Sequence, residues 1–272
     1  MSQNLKTIFG SILLLIFVSC KENHTSNEGV QNGKELGTKE EIPSSLKKDF
    51  TKYLTYTLQN AFEVGQGENY TTNFLEVDYD HDGIMDKIIS INRLEKANSD
   101  LESAENPEKF MEIGQMGNYN HLILYNGRDS LFYDPVNVSS SPYVPLVVSS
   151  ISLKGGASSE IQVDYRIRNS SYRSLYSIKG NQVRLIFHWK IFDGLGTNSP
   201  EAYAIEVGAE GKYGEFKDLN IYKGKLEILP TNSNPNTFQP KITKTGRIYT
   251  TFFYIAKEEK YFTKLKNQFD HK

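Results

Sequence analysis

One stretch constrains the architecture more than any other. Ile161, Val163, Tyr165 and Ile167 alternate with Gln162, Asp164, Arg166 and Arg168. A period of two sends successive side chains to opposite faces, which specifies a sheet strand with one wet face. Shorter runs of β-branched and aromatic residues recur on both sides of it. They cover Phe74 to Val77, Lys87 to Ile91, His121 to Tyr125, Pro145 to Ile151, Leu175 to Ile178 and Val183 to Trp189. Four more follow at Ala202 to Val207, Leu219 to Tyr222, Lys225 to Leu229 and Ile248 to Ile255. Asn126-Gly127 is a turn signal, and Lys179 to Gln182 reads as a hairpin connection. The 17 Tyr and 15 Phe suit strands. The expected fold is mainly β (α+β), built of antiparallel sheets.

One helix is expected ahead of the strands. Leu46, Phe50, Leu54, Leu58 and Phe62 recur every fourth residue and make a single apolar stripe. Pro43-Ser44-Ser45 offers a start and Gly65 a stop. Lys47 and Lys48 oppose the dipole at that start, so the first turn is expected to fray. Two long polar segments interrupt the strands: Glu95 to Asn118, with six acidic residues against two lysines, and Pro230 to Thr245. The first is expected to be disordered or a frayed helix, since loops of this length are functional or unstructured. The tail from Tyr261 to Phe269 stays open between strand and short helix.

The N-terminus reads MSQNLKTIFGSILLLIFVSC. Lys6 followed by the short apolar run Ile8 to Val18 is a secretory signal, too short to span a membrane as a helix. Cys20 is the single cysteine, which excludes a disulfide framework and a cysteine-based zinc site. Phe17-Val18-Ser19-Cys20 resembles the lipobox of bacterial lipoproteins, with Phe where Leu is usual. That resemblance implies cleavage before Cys20, lipidation of Cys20 and a membrane anchor. Lys21 in place of Asp implies an outer-membrane address, facing the periplasm or the cell surface. An ordinary cleaved signal with an incidental cysteine is the other reading. Residues 21 to 43 hold almost no large apolar side chains and cannot order themselves by burial. The chain therefore divides into a signal (1–19), a flexible tether from Cys20 (20–43) and a single β-rich domain (44–272).

Between two of the expected strands lies VDYDHDGIMDKI, Val77 to Ile88. Calcium takes six to eight oxygen ligands. Asp78, Asp80 and Asp82 recur at every second residue, Gly83 permits a sharp turn, the carbonyl of Ile84 can face inward, and Asp86 can close the shell. The pattern departs from an EF-hand, because Ile89 stands where a bidentate Glu is required and the flanks are strands. D-x-D-x-D-G-x-x-D between strands resembles the loops of integrin-like FG-GAP, or VCBS-type, repeats. The later LILYNG, ending at Gly127, is similar to a further strand of such a repeat. The resemblance implies one calcium ion held by Asp78, Asp80, Asp82, Asp86 and the Ile84 backbone. The motif occurs once, so no propeller of several blades is expected. The alternative is a plain acidic hairpin turning at Asp82-Gly83.

Other constellations are weaker. The five histidines, His24, His81, His121, His188 and His271, show no metal-ligand spacing. No nucleophile elbow, phosphate loop or zinc-protease helix occurs. A net charge of −2 gives no basic stripe for nucleic acid. Arg166, Arg168, Arg173 and Arg184 are placed together on a wet face, and the tyrosine-rich strands could offer a sugar-stacking platform or simply pack. The functional expectation is an envelope-anchored, calcium-binding lipoprotein serving as a non-enzymatic binding or adhesion-type module for a protein or glycan. The alternatives are an envelope or glycan hydrolase with structural calcium, and a lipoprotein inhibitor or immunity factor that would use Glu95 to Asn118.

Overall fold

The helix forms, but it breaks once. Ser44–Lys47 is a separate turn (α1), and the main helix is Phe50–Ala61 (α2). Asp49 causes the break: it adopts an extended conformation, and its side chain accepts from the Lys52 amide at 3.1 Å, which caps α2. The buried stripe of α2 is Tyr53, Leu54, Thr57 and Leu58. It lies on a five-stranded antiparallel sheet made of Thr71–Val77 (β1), Asp86–Asn92 (β2), Asn120–Asn126 (β3), Leu131–Phe132 (β4) and Val136–Asn137 (β5), ordered β1-β2-β3-β4, with β5 also on β3. The computed structural model describes residues 42–265, apart from 63, 66, 115, 116, 156–159 and 181. The expectations for the signal, for Cys20, for the tether up to residue 41 and for residues 266–272 lie outside the described residues.

Alternation along β2 and β3 builds two cores at once. Ile89, Ile91 and Ile123 meet Tyr53, Leu54 and Leu58 of α2, with Phe132 beside them. Ile88, Leu122 and Leu124 face the other way, against Ile161, Val163, Tyr176 and Val183 of a second sheet. Sandwiched strands of this kind read as continuous apolar runs, which is why Ile88-Ile89 and Leu122-Ile123-Leu124 lack a polar face.

The second sheet has eight antiparallel strands joined in chain order: Val147–Ile151 (β6), Glu160–Ile167 (β7), Ser170–Lys179 (β8), Gln182–Asp193 (β9), Glu201–Val207 (β10), Leu219–Leu226 (β11), Ile242–Ile255 (β12) and Lys260–Thr263 (β13). Lys179 pairs with Gln182 across the expected hairpin. The separate strands expected at Leu219 and Lys225 are one strand, β11. A second apolar cluster, with Phe187, Trp189, Tyr203, Phe252 and Tyr261, fills this sheet beyond the reach of the first.

Two expectations are corrected. Glu95 to Asn118 is neither disordered nor one frayed helix: it carries Leu94–Glu102 (α3) and Pro107–Glu112 (α4). Asn106 caps α4 by accepting from the Lys109 amide, and Pro107 occupies the first turn, where its missing N–H costs nothing. Arg166 does not share a wet face with Arg168, Arg173 and Arg184. It is 1 % exposed, with its guanidinium against the Phe192 ring and its N–H groups on the carbonyls of Pro235, Phe238 and Arg168. The Pro230 to Thr245 segment folds back over it and continues into β12 at Ile242.

The loop that precedes β1 is pinned by charge. Arg93 donates through Nε and Nη2 to both oxygens of Glu68, at 2.6 and 2.8 Å, and through Nη1 to the carbonyl of Phe62 at 3.0 Å. The pair is largely buried, and Arg93 holds the Glu68 carboxyl below its usual range.

Candidate metal centre

The acidic loop is the β1–β2 connection. The ladder closes at Val77 opposite Asp86, so every residue from Asp78 to Met85 belongs to the turn. The chain reverses through two left-handed residues, His81 (φ 59°) and Gly83 (φ 85°). Gly83 meets no steric penalty there.

The carboxylates hold the turn by accepting its own amides. Asp78 accepts from Asp82 N and Gly83 N, each at 3.0 Å. Asp80 accepts from Asp82 N at 3.2 Å, and Asp82 accepts from Ile84 N at 2.7 Å. Asp86 starts β2 and is fully buried. Its two oxygens accept from Tyr79 N at 3.1 Å and from Gly127 N at 2.8 Å. Burial raises the Asp86 carboxyl above its ordinary pKa; these two amides oppose the shift, and the neighbouring Asp80 and Asp82 add to it.

Of the four carboxylates expected to act together, three converge. Asp78, Asp80 and Asp86 each bring an oxygen within 4.8 Å of the others, a spacing that suits a metal ion. Asp82 turns away. Its Oδ2 forms an ion pair with Arg128 Nε at 2.7 Å, without hydrogen-bond alignment, while Arg128 Nη2 donates to the Asp82 carbonyl at 3.0 Å. Ile84 contributes its amide to the turn and leaves its side chain in solvent beside Met85.

Asn126, at the end of β3, and Gly127 and Arg128 just after it complete the arrangement; the sequence reading took Asn126-Gly127 as a turn closing a later strand of the repeat and did not place any of the three against the loop. Asn126 Nδ2 lies 3.1 Å from Asp80 Oδ2 and 3.3 Å from the Tyr79 hydroxyl, and Asn126 Oδ1 accepts from Asp129 N. Gly127 packs so closely that a Cβ there would lie 2.2 Å from the Met85 carbonyl oxygen. The Asn-Gly pair is legible as a turn. Nothing local says that the turn abuts a loop 40 residues earlier; that follows from the β2–β3 register, which sets Lys87 against Tyr125.

The histidines remain dispersed. His81 is at the loop's tip, His121 is buried in β3, and His188 is half-buried in β9 beside Tyr165 and Tyr172. His24 and His271 lie outside the described residues. No protein-family model, curated protein or solved structure matches the chain.

Proposed function

We propose that the chain is an envelope-anchored, calcium-binding lipoprotein of the FG-GAP type, whose β-rich body serves as a non-enzymatic binding module. The observation that carries the metal assignment is the convergence of Asp78 and Asp80 on Asp86, a carboxylate that is fully buried. Charges so placed repel, and a divalent ion offsets that repulsion. Calcium suits the loop better than magnesium, because a short turn that mixes carboxylate and carbonyl oxygens tolerates irregular geometry. Binding completes the shell when Asp82 leaves Arg128 and swings inward. The ion then staples the β1–β2 turn. Affinity falls in the range of extracellular modules, on the order of 10⁻⁴ to 10⁻³ M. Titration calorimetry on the mature protein (residues 20–272) tests it: wild type gives a calcium heat and Asp80→Ala does not. Equal heats, or none in either, refute the assignment. The anchor is tested separately, by the fatty-acid labelling of wild type and its loss in Cys20→Ala.

One observation favours a second reading, the inhibitor or immunity factor. The short helix α4 buries none of its residues and leaves Met111 and the following Ile113 exposed among Glu105, Glu108 and Glu112. An exposed apolar pair with acidic neighbours suits docking against a basic cleft. Deleting residues 104–113 separates the readings: loss of a partner's inhibition with calcium binding intact favours this one.

A further inference from the structure

The second sheet parts within its own strand order. β10 has β9 on one side and β11 on the other. Its ladder with β11 runs unbroken from Ala202 to Val207. Its ladder with β9 holds only Glu201 opposite Asp193 and Ala202 opposite Phe192. The cause lies in β9. Across β8, Tyr172 faces Lys190 and Ser171 faces Phe192, so Ile191 is an extra residue. Such a bulge bends its strand and raises the local twist, and this one sits next to the last rung that β9 shares with β10. From Tyr203 to Val207, β10 therefore keeps one partner. An antiparallel strand turns the N–H and C=O of alternate residues to either side, so a row of these groups faces the gap. Among the described residues no other main-chain group bonds to them.

An open depression of about 270 Å³ lies along this gap. Tyr203, Ala204, Ile205 and Glu206 line it in succession, together with Arg173, Ile191 and Ile242. Successive residues point to opposite faces of a strand, so a hollow lined by consecutive residues follows the strand's edge and not one face of the sheet. The charges beside it are already matched. Arg173 donates through Nε and Nη2 to the two oxygens of Asp164, at 2.7 Å each, and Glu206 pairs with Lys244 at 2.7 Å. What the gap offers a ligand is thus main-chain donors and acceptors in alternation, flanked by the side chains of Ile191, Ile205 and Ile242. The devices that blunt a free edge are missing. Tyr203 to Val207 hold no proline, their one charge is the matched Glu206, and their register with β11 has no bulge. A further β-strand is the ligand that fits such a row: its backbone supplies the complementary groups at the same repeat, and its alternate side chains meet the apolar margin.

We infer that the β9–β10 gap binds an extended polypeptide segment of a partner protein, which adds to the sheet as a strand along Tyr203 to Val207. The inference rests on the binding-module reading and names its partner class. The probe is a displayed library of octapeptides with Val, Ile or Leu at alternate positions and any residue between them. Selection on the mature protein (residues 20–272) enriches binders, and a synthetic copy of one binds saturably by fluorescence anisotropy. Amide exchange read by NMR then shows new protection at the gap-facing amides of residues 203 to 207. N-methylation of the synthetic peptide, at its odd or at its even positions, tests the geometry without altering the protein. One set faces β10, and its methylation weakens binding about tenfold or more, the scale of one or two lost hydrogen bonds; the other set is tolerated. Equal effects of the two sets overturn the assignment, as does a library that yields no binder. Gap-facing amides already protected before peptide is added give the edge to the chain itself or to a second copy, and overturn it too. A peptide that binds with new protection confined to other strands keeps the binding-module reading and removes this site.

Discussion

Protonating His121 should cost the fold much of its stability. Its ring is 5 % exposed in β3, lies 4.4 Å centroid to centroid from Phe62, and places Nε2 2.8 Å from the Asn118 carbonyl. Burial lowers its pKa from 6.5 to about 4; the carbonyl opposes that shift and the nearby Arg93 charge adds to it. The unfolded chain takes up a proton as pH falls through about 6.5, whereas the folded chain refuses it until about 4. Stability from this group is therefore complete above pH 6.5 and drains away as pH falls toward 4. At about 1.36 kcal/mol per pH unit across that window, the loss is about 3 kcal/mol. Urea unfolding of wild type and His121→Gln between pH 4 and 7.5, with a chelator in both, isolates it. Carboxylates titrating in the same range cancel in the difference, so the wild-type advantage should shrink by about 3 kcal/mol on acidification. A difference independent of pH, or a proton-NMR midpoint for His121 near 6.5, refutes the argument.

Leu58→Ala, at a fully buried position between α2 and the first sheet, should cost about 2–5 kcal/mol in urea unfolding. Arg93→Ala leaves Glu68 buried without its cation and the Phe62 carbonyl without a donor. A loss of about 3–5 kcal/mol is expected, and Glu68→Gln in the same background should recover part of it. Gly127→Ala drives a methyl group into the Met85 carbonyl, so it should lower the melting temperature and abolish the calcium heat together. A melting temperature equal to wild type would show that the β3 turn yields freely.

The sheet character was legible because alternation is local. Ile161 to Ile167 specifies one strand, and the apolar runs Ile88-Ile89 and Leu122 to Leu124 specify strands covered on both faces. The start at Pro43-Ser44-Ser45 coincides with that of α1, but the break after it was missed because the every-fourth-residue stripe ran across Asp49. The competing signal, a capping carboxylate three residues before the amide it accepts from, was present but outweighed by the periodicity. In the same way Asn106-Pro107 announces the start of α4 inside a segment whose length argued for disorder.

What the sequence withheld depends on contacts distant along the chain. Arg166 occupies a polar position of an alternating strand, and a solvent-facing arginine is the ordinary outcome for such a position. Its burial follows from Pro235 and Phe238, some 70 residues later, which bring carbonyls over the guanidinium. The candidate metal loop divides along the same line. Spacing within Asp78 to Asp86 predicts how the turn curls, because those residues satisfy one another's amides. It does not predict that Asp82 has a rival partner in Arg128, or that Gly127 closes over Asp86, since both arrive through strand pairing. A local motif thus names the atoms able to bind an ion. Whether all of them are free to do so is set by what the neighbouring strand delivers, and here Arg128, just past the end of β3, holds Asp82 away from Asp78, Asp80 and Asp86.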